Sequence, residues 1–185
     1  MHHLRPCKNI SKKNISHLFI DATEREHYRP QNKEEQSALY SGKQGYHTIK
    51  NTVISDKAKF IHFLGLTTQG SIHDLELLRI EFDPRKSWFA PFNCLVDLGY
   101  LGFEKDFKPK NIDIPFKKMK KLPLTDEQKQ FNKEQSQRRV VVENAICGIK
   151  RWAALNQRYR NKIRDFDDLI IRIAAGIWNL HLSLI

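Results

Sequence analysis

The sequence has little cysteine and no long apolar run. Its three cysteines, Cys7, Cys94 and Cys147, lie far apart and form no close pair. This spacing argues against a zinc ribbon and a disulfide scaffold, and it suits a reducing compartment. No run of about 18 apolar residues could span a membrane, and no apolar signal-peptide core follows the basic N-terminus. We therefore expect a cytoplasmic protein without membrane contact.

Acidic residues are also scarce relative to basic ones. The 185 residues include 32 Lys and Arg against 21 Asp and Glu, which gives a formal net charge of +11. Such a surplus favours a polyanionic partner, because each neutralised phosphate releases condensed counterions. The hydrophobic fraction of 40% is enough for one packed domain. The composition therefore indicates a globular protein that binds nucleic acid, although a merely basic soluble protein is the alternative.

Several short segments rich in apolar and β-branched residues predict the strands of one sheet. HLFIDAT (17–23) ends near Asp21, and NCLVD (93–97) ends at Asp97. YHTIKNTVIS (46–55) and KFIHFLGL (59–66) predict a hairpin beside the first strand, and NIDIPF (111–116) predicts a further strand. The polar residues 24–44 predict a loop or a loose hairpin. With the helices below, this order predicts an α/β fold in which helices cover a mixed sheet.

Three helices are predicted from their N-terminal signals and their apolar spacing. Ser71 is the predicted N-cap of a helix over 72–80, and Thr125 with Gln128 forms the pattern of a capping box. The helix after Thr125 continues to about 157, with a break possible along it. A last helix from about Asp165 carries apolar residues at helical spacing and is a candidate for core or dimer contact: Leu169, Ile170, Ile173, Ile177 and Leu180.

Three acids stand where divalent-ion chemistry would need them. Asp21 and Asp97 end apolar strands, and Glu143 lies in RRVVVENAICGIKR, which resembles a half-buried helix. An acid among valines is costly to bury unless a cation neutralises it, and Mg²⁺ prefers carboxylate and water oxygens. The alternative interpretations are a strand-end cap for each aspartate and a solvated helix position for Glu143. The pattern alone leaves both interpretations open.

Two basic residues share the helix face of Glu143. At 100° per residue, Arg139 and Lys150 lie about 40° and about 20° from Glu143 around the helix axis. A cation on this face could hold a phosphate close to the acids. The alternative is a charged helix stripe that faces water.

The same residues carry a resemblance to a known family. FIDATE (19–24), YSGKQGYHTIKNTVISD (40–56), GSIHD (70–74), LVDLGYLG (95–102) and RRVVVENAICGIKRW (138–152) follow one another in the family's order. The chain resembles DDE transposases of the insertion-sequence-five group, relatives of the Harbinger-type transposases. Each motif alone is weak, but five in order are a specific signal that covers nearly the whole chain.

The resemblance implies a ribonuclease-H-like fold over 17–185, after a flexible basic lead-in at 1–16. It implies that Asp21, Asp97 and Glu143 are catalytic and bind two Mg²⁺ or Mn²⁺ ions. It further implies nicking at element ends and strand transfer by the freed 3′-hydroxyl. The implied partners are double-stranded DNA, as terminal inverted repeats and as target at the nucleoid, and further copies in a homodimer or larger assembly. We expect DNA contacts from basic residues within the motifs: Lys43, Lys50, Arg139, Lys150 and Arg151.

The chain also departs from the family pattern. Ser136 stands where a related signature has Tyr, and Leu98 stands where Lys or Ser is common. Few residues precede the first strand, so the usual helix-turn-helix segment is either encoded separately or lost from a truncated copy. A catalytically idle DNA-binding remnant is therefore the alternative function. A basic nuclease or RNA-binding protein of another kind finds no support, because its zinc-ligand, His-centred or aromatic motifs are missing.

Overall fold

A mixed sheet forms the centre of the protein in the computed structural model, which describes residues 15–120 and 122–185. The predicted lead-in therefore lies almost entirely outside the described residues. The long strands are β1 (His17–Glu26) and β3 (Tyr46–Ser55). The short ones are β2 (Tyr40–Ser41), β4 (Ile61–Leu64), β5 (Thr68–Gln69), β6 (Asn93–Leu95) and β7 (Asn111–Asp113).

The strand order places β1 in the middle of the sheet. The order is β2-β3-β1-β6-β7, and β4 and β5 also pair with β3. The β1–β3 pair is antiparallel, whereas β6 runs parallel to β1 and β7 runs parallel to β6. Parallel strands direct their carboxyl ends to the same sheet edge, so the chain leaves β6 on the side toward which β1 runs past Asp21. This mixed sheet with covering helices confirms the predicted fold class and is consistent with a ribonuclease-H-like fold.

Helices cover both faces of the sheet. They are α1 (Lys33–Leu39), α2 (Asp74–Glu81), α3 (Phe103–Phe107), α4 (Asp126–Ile149), α5 (Ala153–Asn156) and α6 (Phe166–Ser183). Successive β1 side chains point to opposite faces, so Leu18 and Ile20 enter the core beneath α2 and α3. Phe19 enters the other core, beneath α4, α5 and α6. No helix among the described residues is long and apolar enough to cross a membrane.

Most predicted elements are confirmed at their expected places. The strand over 46–55 and the capping box are both present: the Thr125 hydroxyl accepts from the Gln128 amide, and the Gln128 side chain accepts from the Thr125 amide. The predicted break after the long helix falls between Ile149 and Ala153. These elements depend on local signals, so the sequence pattern is enough to locate them.

Two local predictions are wrong. Residues 24–44 are not a loop, because β1 continues to Glu26 and α1 begins after Asn32, whose side chain accepts from the Glu34 and Glu35 amides. The helix α2 is capped at His73 and not at Ser71. The reason is that the Ser71 amide donates to the Ala38 carbonyl, which holds this residue in the preceding turn.

The apolar residues of α6 do not face the core as a group. The core face carries Ile171, Ala174, Ala175 and Trp178, whereas four of the five residues in the predicted spacing are exposed: Leu169, Ile173, Ile177 and Leu180. Only Ile170 of that set packs against the core. Of the two roles predicted for this helix face, the core role is therefore wrong for these four residues.

The contact between α4 and α6 depends on a glycine. A Cβ atom at Gly148 would overlap the ring of Trp178. The Trp178 ring is held in place, since its Nε1 donates to the Lys59 carbonyl oxygen at 2.9 Å. The ring therefore has little freedom to move away from a larger residue.

We predict that Gly148→Ala lowers the free energy of unfolding by about 1–3 kcal/mol through overpacking. Alanine recovers up to about 1 kcal/mol of this cost through its higher helix propensity, so we expect a net loss of up to about 2 kcal/mol. Urea unfolding followed by circular dichroism measures the difference. Ser136→Ala, at an exposed position of the same helix, is the control and should be slightly stabilising. A Gly148→Ala protein as stable as this control would contradict the tight α4–α6 contact.

Candidate active site

Asp21 is a buried acid in the middle of β1. Its side chain lies on the face covered by α4, and its Oδ1 accepts a hydrogen bond from the Ala22 amide at 2.8 Å. The strand was predicted to end near this residue but continues to Glu26, with Asp21 paired to Val53 of β3. The carboxylate is therefore fixed by strand backbone on both sides.

Asp97 follows β6 and caps the next turn. Its Oδ1 accepts from the Gly99 amide at 2.8 Å, which begins a 3-10 turn over Leu98–Tyr100. The Val96 amide donates to the Asp113 carbonyl oxygen and holds the residue before it against β7. The second carboxylate is thus oriented by the end of a buried strand and by the turn that it caps.

Arg139 of α4 joins the two acids. Its Nη2 lies 3.1 Å from Asp21 Oδ2 and 4.0 Å from Asp97 Oδ2. Burial raises the pKa of Asp21; the Arg139 charge opposes this rise, and the Asp97 charge adds to it. Two carboxylates that are 76 residues apart in the sequence therefore face the same cation. One of the predicted DNA-binding arginines lies inside the acid site.

Glu143 lies one helical turn beyond Arg139 but makes no such contact. It is exposed, and it forms no hydrogen bond or ion pair with any described residue. Within residues 15–120 and 122–185, no three His, Cys, Asp or Glu side chains are close enough to hold a metal ion. The half-buried helix is confirmed, because α4 turns Val142 and Ala145 to the core. Of the two interpretations left open for Glu143, the exposed helix position is the one observed. Its role beside the two aspartates stays a prediction.

The face of α4 that carries Glu143 nevertheless lies along β1. At one end Arg139 contacts Asp21, and at the other the Lys150 Nζ donates to the Glu24 carbonyl oxygen at 2.8 Å. Glu143 lies between these two anchors on the same side of the helix. Glu143 is therefore located between two contacts of α4 with β1, while its own side chain is exposed.

Lys50 forms a second buried ion-pair cluster beside the first. Its Nζ lies 2.8 Å from Asp74 Oδ1 and 3.6 Å from Glu24 Oε1, and it donates to the Ile72 carbonyl oxygen at 2.8 Å. Only 6% of the Lys50 side chain is exposed. Its ammonium group is thus surrounded by protein oxygens, so a direct DNA contact remains a prediction.

Gly99 is where the two clusters meet. A Cβ atom on Gly99 would lie 2.5 Å from Asp74 Oδ2 and 2.9 Å from Asp97 Oδ1. Any side chain there would push the two carboxylates out of place, because these distances are shorter than real contacts allow. The glycine in the LVDLGYLG motif therefore lets Asp74, of the Lys50 cluster, lie beside Asp97, of the Arg139 cluster.

An open cleft lies beside the two clusters, against Glu24, Asp74 and Asp97 but not Asp21. Its volume is about 620 Å³, and its lining includes Glu24, Lys43, Lys50, Asp74 and Asp97. Lys43 is exposed, as predicted for a phosphate contact. Arg151 lies elsewhere, with its guanidinium carbon 5.7 Å from the centre of the Trp178 ring. Of the predicted DNA-binding residues, Lys43 and Lys50 line the cleft, and Arg139 and Lys150 contact β1.

Two site residues had weak sequence signals. Glu24 is only the last residue of FIDATE in the sequence analysis, and Asp74 of GSIHD is only a secondary polar residue near the site, yet both pair with Lys50. Tyr100 is fully buried, and its hydroxyl has no hydrogen-bond partner in the described part of the chain. Burial, with the nearby charges of Asp21, Asp74, Asp97 and Glu81, raises its pKa well above the usual value. The sequence signal that could have located Glu24 and Asp74 is Lys50, because it lies inside a predicted strand. A lysine buried in a strand needs acidic side chains around its ammonium group.

Comparisons with known proteins agree on one family. Residues 20–179 match a family model described as "DDE superfamily endonuclease". The chain is 35% identical over 178 residues to a protein of Microchaete diplosiphon named "Probable transposase for insertion sequence element IS702". This match covers 96% of the chain and 60% of the relative, so the chain spans under two thirds of that protein's length. No solved structure matches the chain.

Glu81, at the end of α2, is a further acid whose carboxyl group is buried. Burial raises its pKa from 4.5 to about 7, and the nearby Thr52 hydroxyl opposes this rise only in part. Neither carboxylate oxygen has a partner in full hydrogen-bond geometry among the described residues. Gly65 leaves the space for this carboxyl group, since a Cβ there would overlap Glu81 Oε1.

We predict that Glu81 makes the protein less stable as the pH rises. Between about 4.5 and 7 the folded chain holds a proton that the unfolded chain releases, so the free energy of unfolding falls, by up to about 3 kcal/mol above pH 7. Glu81→Gln should remove this dependence and be more stable than the wild type at pH 8, with little difference at pH 4.5. Urea unfolding at both values is the measurement, with the exposed Glu104→Gln as control. A stability difference independent of pH would contradict the buried titration.

Proposed function

Because the chain belongs to the DDE superfamily of endonucleases, we propose that it is the catalytic domain of an insertion-sequence transposase. It cuts phosphodiester bonds at the ends of the element and joins each freed 3′-hydroxyl to target DNA. The observation that carries this proposal is the pair formed by Asp21 and Asp97 around one cation, the Arg139 guanidinium. Within the superfamily we assign the chain to the insertion-sequence-five group, on the motifs that it shares with that group.

The acids suit the metal ions that such a reaction needs. Asp21 and Asp97 offer hard carboxylate oxygens at one point, where a cation is already favoured, and Glu143 lies one helical turn from Arg139. We propose that these three residues hold two Mg²⁺ or Mn²⁺ ions. The ions would lower the pKa of the attacking water and stabilise the negative charge that develops on the phosphate.

The surrounding residues have separate tasks in this proposal. Arg139 places a positive charge beside the acids, where it can contact a phosphate oxygen of the cut strand. Lys150 ties α4 to the backbone of β1, which fixes the position of Glu143. Exposed Lys43, at the cleft beside the acids, and Arg151, near the end of α4, bind neighbouring phosphates and carry no sequence information.

The reaction proceeds by two displacements at phosphorus. In the first, a water oxygen bonds to the phosphorus as the bond to the 3′ oxygen breaks, which leaves a 3′-hydroxyl and a 5′-phosphate. In the second, the oxygen of that hydroxyl bonds to a target phosphorus as the target's own bond from phosphorus to its 3′ oxygen breaks. The element end is thereby joined to the target 5′-phosphate, and the departing target strand ends in a 3′-hydroxyl. No protein side chain becomes covalently attached, so the acids and cations act by binding, orientation and electrostatic stabilisation.

The partners follow from the chemistry. The substrates are double-stranded terminal inverted repeats and target DNA, which places the protein at the nucleoid of the cytoplasm. Cutting two ends together requires a homodimer or a larger assembly. Recognition of the ends is assigned to a segment outside this catalytic domain, 17–185.

One observation favours the alternative of an idle DNA-binding remnant. Glu143 makes no contact with the aspartates, and no three-acid metal site is formed among the described residues. If the helix face does not bring Glu143 to the other acids on DNA, the chain keeps its fold and its basic charge without cutting.

Nicking of supercoiled plasmid in Mg²⁺ or Mn²⁺ tests the proposal. We expect metal-dependent nicking by the wild type and a loss of more than about 100-fold for Asp97→Asn and Glu143→Gln, since even outer-shell partners of a metal are worth about 10–100-fold. Asp106→Asn is the matched control: its carboxylate pairs with Arg79 outside the site, so nicking should persist.

The remaining outcomes separate the alternatives. A wild-type protein that folds and binds DNA without nicking would favour the idle remnant. Equal nicking by wild type and Asp97→Asn would show that Asp97 is wrongly assigned or that another nuclease is present.

A further inference from the structure

The outer face of α6 is an uncovered apolar stripe. It consists of Leu169, Ile173, Ile177, Leu180 and Leu184, whose side chains are between 41% and 78% exposed. At 100° per residue these five positions fall within an arc of about 80°. The core-facing residues Ile171, Ala174, Ala175 and Trp178 lie elsewhere on the helix, so the stripe is additional to the core contact.

The stripe is larger than isolated surface leucines would explain. Single exposed apolar side chains are normal on a soluble protein, but a contiguous patch marks an interaction site. The α6 helix is already held by α4 and β4, and the Asn179 amide group bonds the backbone of Ile61. The apolar stripe is therefore not needed to attach the helix to its own domain.

We propose that a second copy of this chain covers the stripe, with the two α6 helices antiparallel around a two-fold axis. With Gly176 included, the spacing of these positions along α6 reads the same in both directions about a midpoint between Gly176 and Ile177. Around that midpoint Leu169 faces Leu184 of the other copy, Ile173 faces Leu180, and Gly176 faces Ile177. A two-fold interface requires this reciprocity, because each contact must occur twice.

Gly176 leaves a depression at the centre of the stripe, because it has no side chain. A Cβ atom there would meet nothing within 4 Å, so its own fold does not require the glycine for space. Glycine in a helix interior costs up to about 1 kcal/mol relative to alanine. Its position in front of the opposing Ile177 allows the helix axes to approach closely, because interaxial distance depends on the side chains at the contact.

The area of the stripe fits a dimer. With the terminal Ile185, which is also exposed, it would bury about 600 Å² on each copy, or about 1,200 Å² in all, the lower end of stable interfaces. Helix association of this size has an apolar centre without a buried charge. A partner with a charged surface would not match this stripe.

This inference deepens the proposed function, because paired cutting needs two catalytic domains. It rests on the proposed function only for the role of the dimer in paired cutting. The helix pair itself should form without DNA or metal ions. Failure of the dimer and failure of nicking are therefore separate results.

Sedimentation equilibrium on the full chain tests the interface. We expect the wild type to sediment as a dimer of its 21.8 kDa chain, and Ile173→Glu to raise the dissociation constant at least about 30-fold, as a central interface residue does. Ile80→Glu, at an exposed position of α2, is the control and should remain dimeric. A wild-type monomer at roughly 100 µM, outside the range of specific dimers, would overturn the proposal and leave the stripe to a segment of the longer relatives.

Disulfide trapping tests the geometry, in a background with Cys7→Ser and Cys147→Ser. Ile177→Cys lies at the axis and should cross-link to its own copy under mild oxidation. Leu169→Cys should not cross-link to itself but should cross-link to Leu184→Cys when the two proteins are mixed. Self-linking of Leu169→Cys, or a dimer that Ile173→Glu leaves intact, would contradict the antiparallel pair.

Discussion

The burial of the Asp21 carboxylate within β1 sets the conditions for its surroundings. A charge in this position is unfavourable unless a cation accompanies it, and the Arg139 guanidinium supplies one while also facing Asp97. The same requirement recurs beside it, where the Lys50 ammonium group lies among carboxylates and a carbonyl oxygen. The Arg139 cluster and the Lys50 cluster can lie side by side because only a residue without a side chain, Gly99, fits between Asp74 and Asp97.

The sheet supplies the geometry that this constraint needs. Parallel pairing of β1 and β6 brings the chain after β6 to the edge toward which β1 runs beyond Asp21. The helix α4 then crosses with one side on β1, anchored by Arg139 at one end and Lys150 at the other. On its far side, Gly148 admits the Trp178 ring and so joins α4 to α6. The helix that carries Glu143 is thus positioned from both sides, and α6 is positioned with it.

The sequence pattern predicts helices and strands whose signals come from neighbouring residues. It fails for ion pairs and burial that depend on contacts between residues far apart in the chain. The strand over 46–55 and the capping box of α4 depend on alternation and on residues three apart, and both are confirmed. The Lys50 ion pairs connect residues 24 positions apart or more, so no local signal distinguishes this buried lysine from a DNA-binding one. The half-buried character of α4 was predictable, but the burial of Glu143 was not, because packing decides which side of the helix faces the sheet and a single sequence does not reveal it. The stripe of α6 is similar: its spacing was visible, whereas its exposure was not.

The central claim is that Asp21, Asp97 and Glu143 belong to one divalent-ion site. Paramagnetic broadening of amide NMR signals by substoichiometric Mn²⁺ tests it most directly, because the effect falls steeply with distance from the bound ion. The account predicts that the amides at 20–22, at 97–99 and at 142–144 broaden first and together, and that Asp97→Asn removes the effect at all three segments. Broadening around Asp21 and Asp97 that leaves the amide of Glu143 sharp would contradict the claim, as would broadening confined to surface acids such as Asp126 and Glu127.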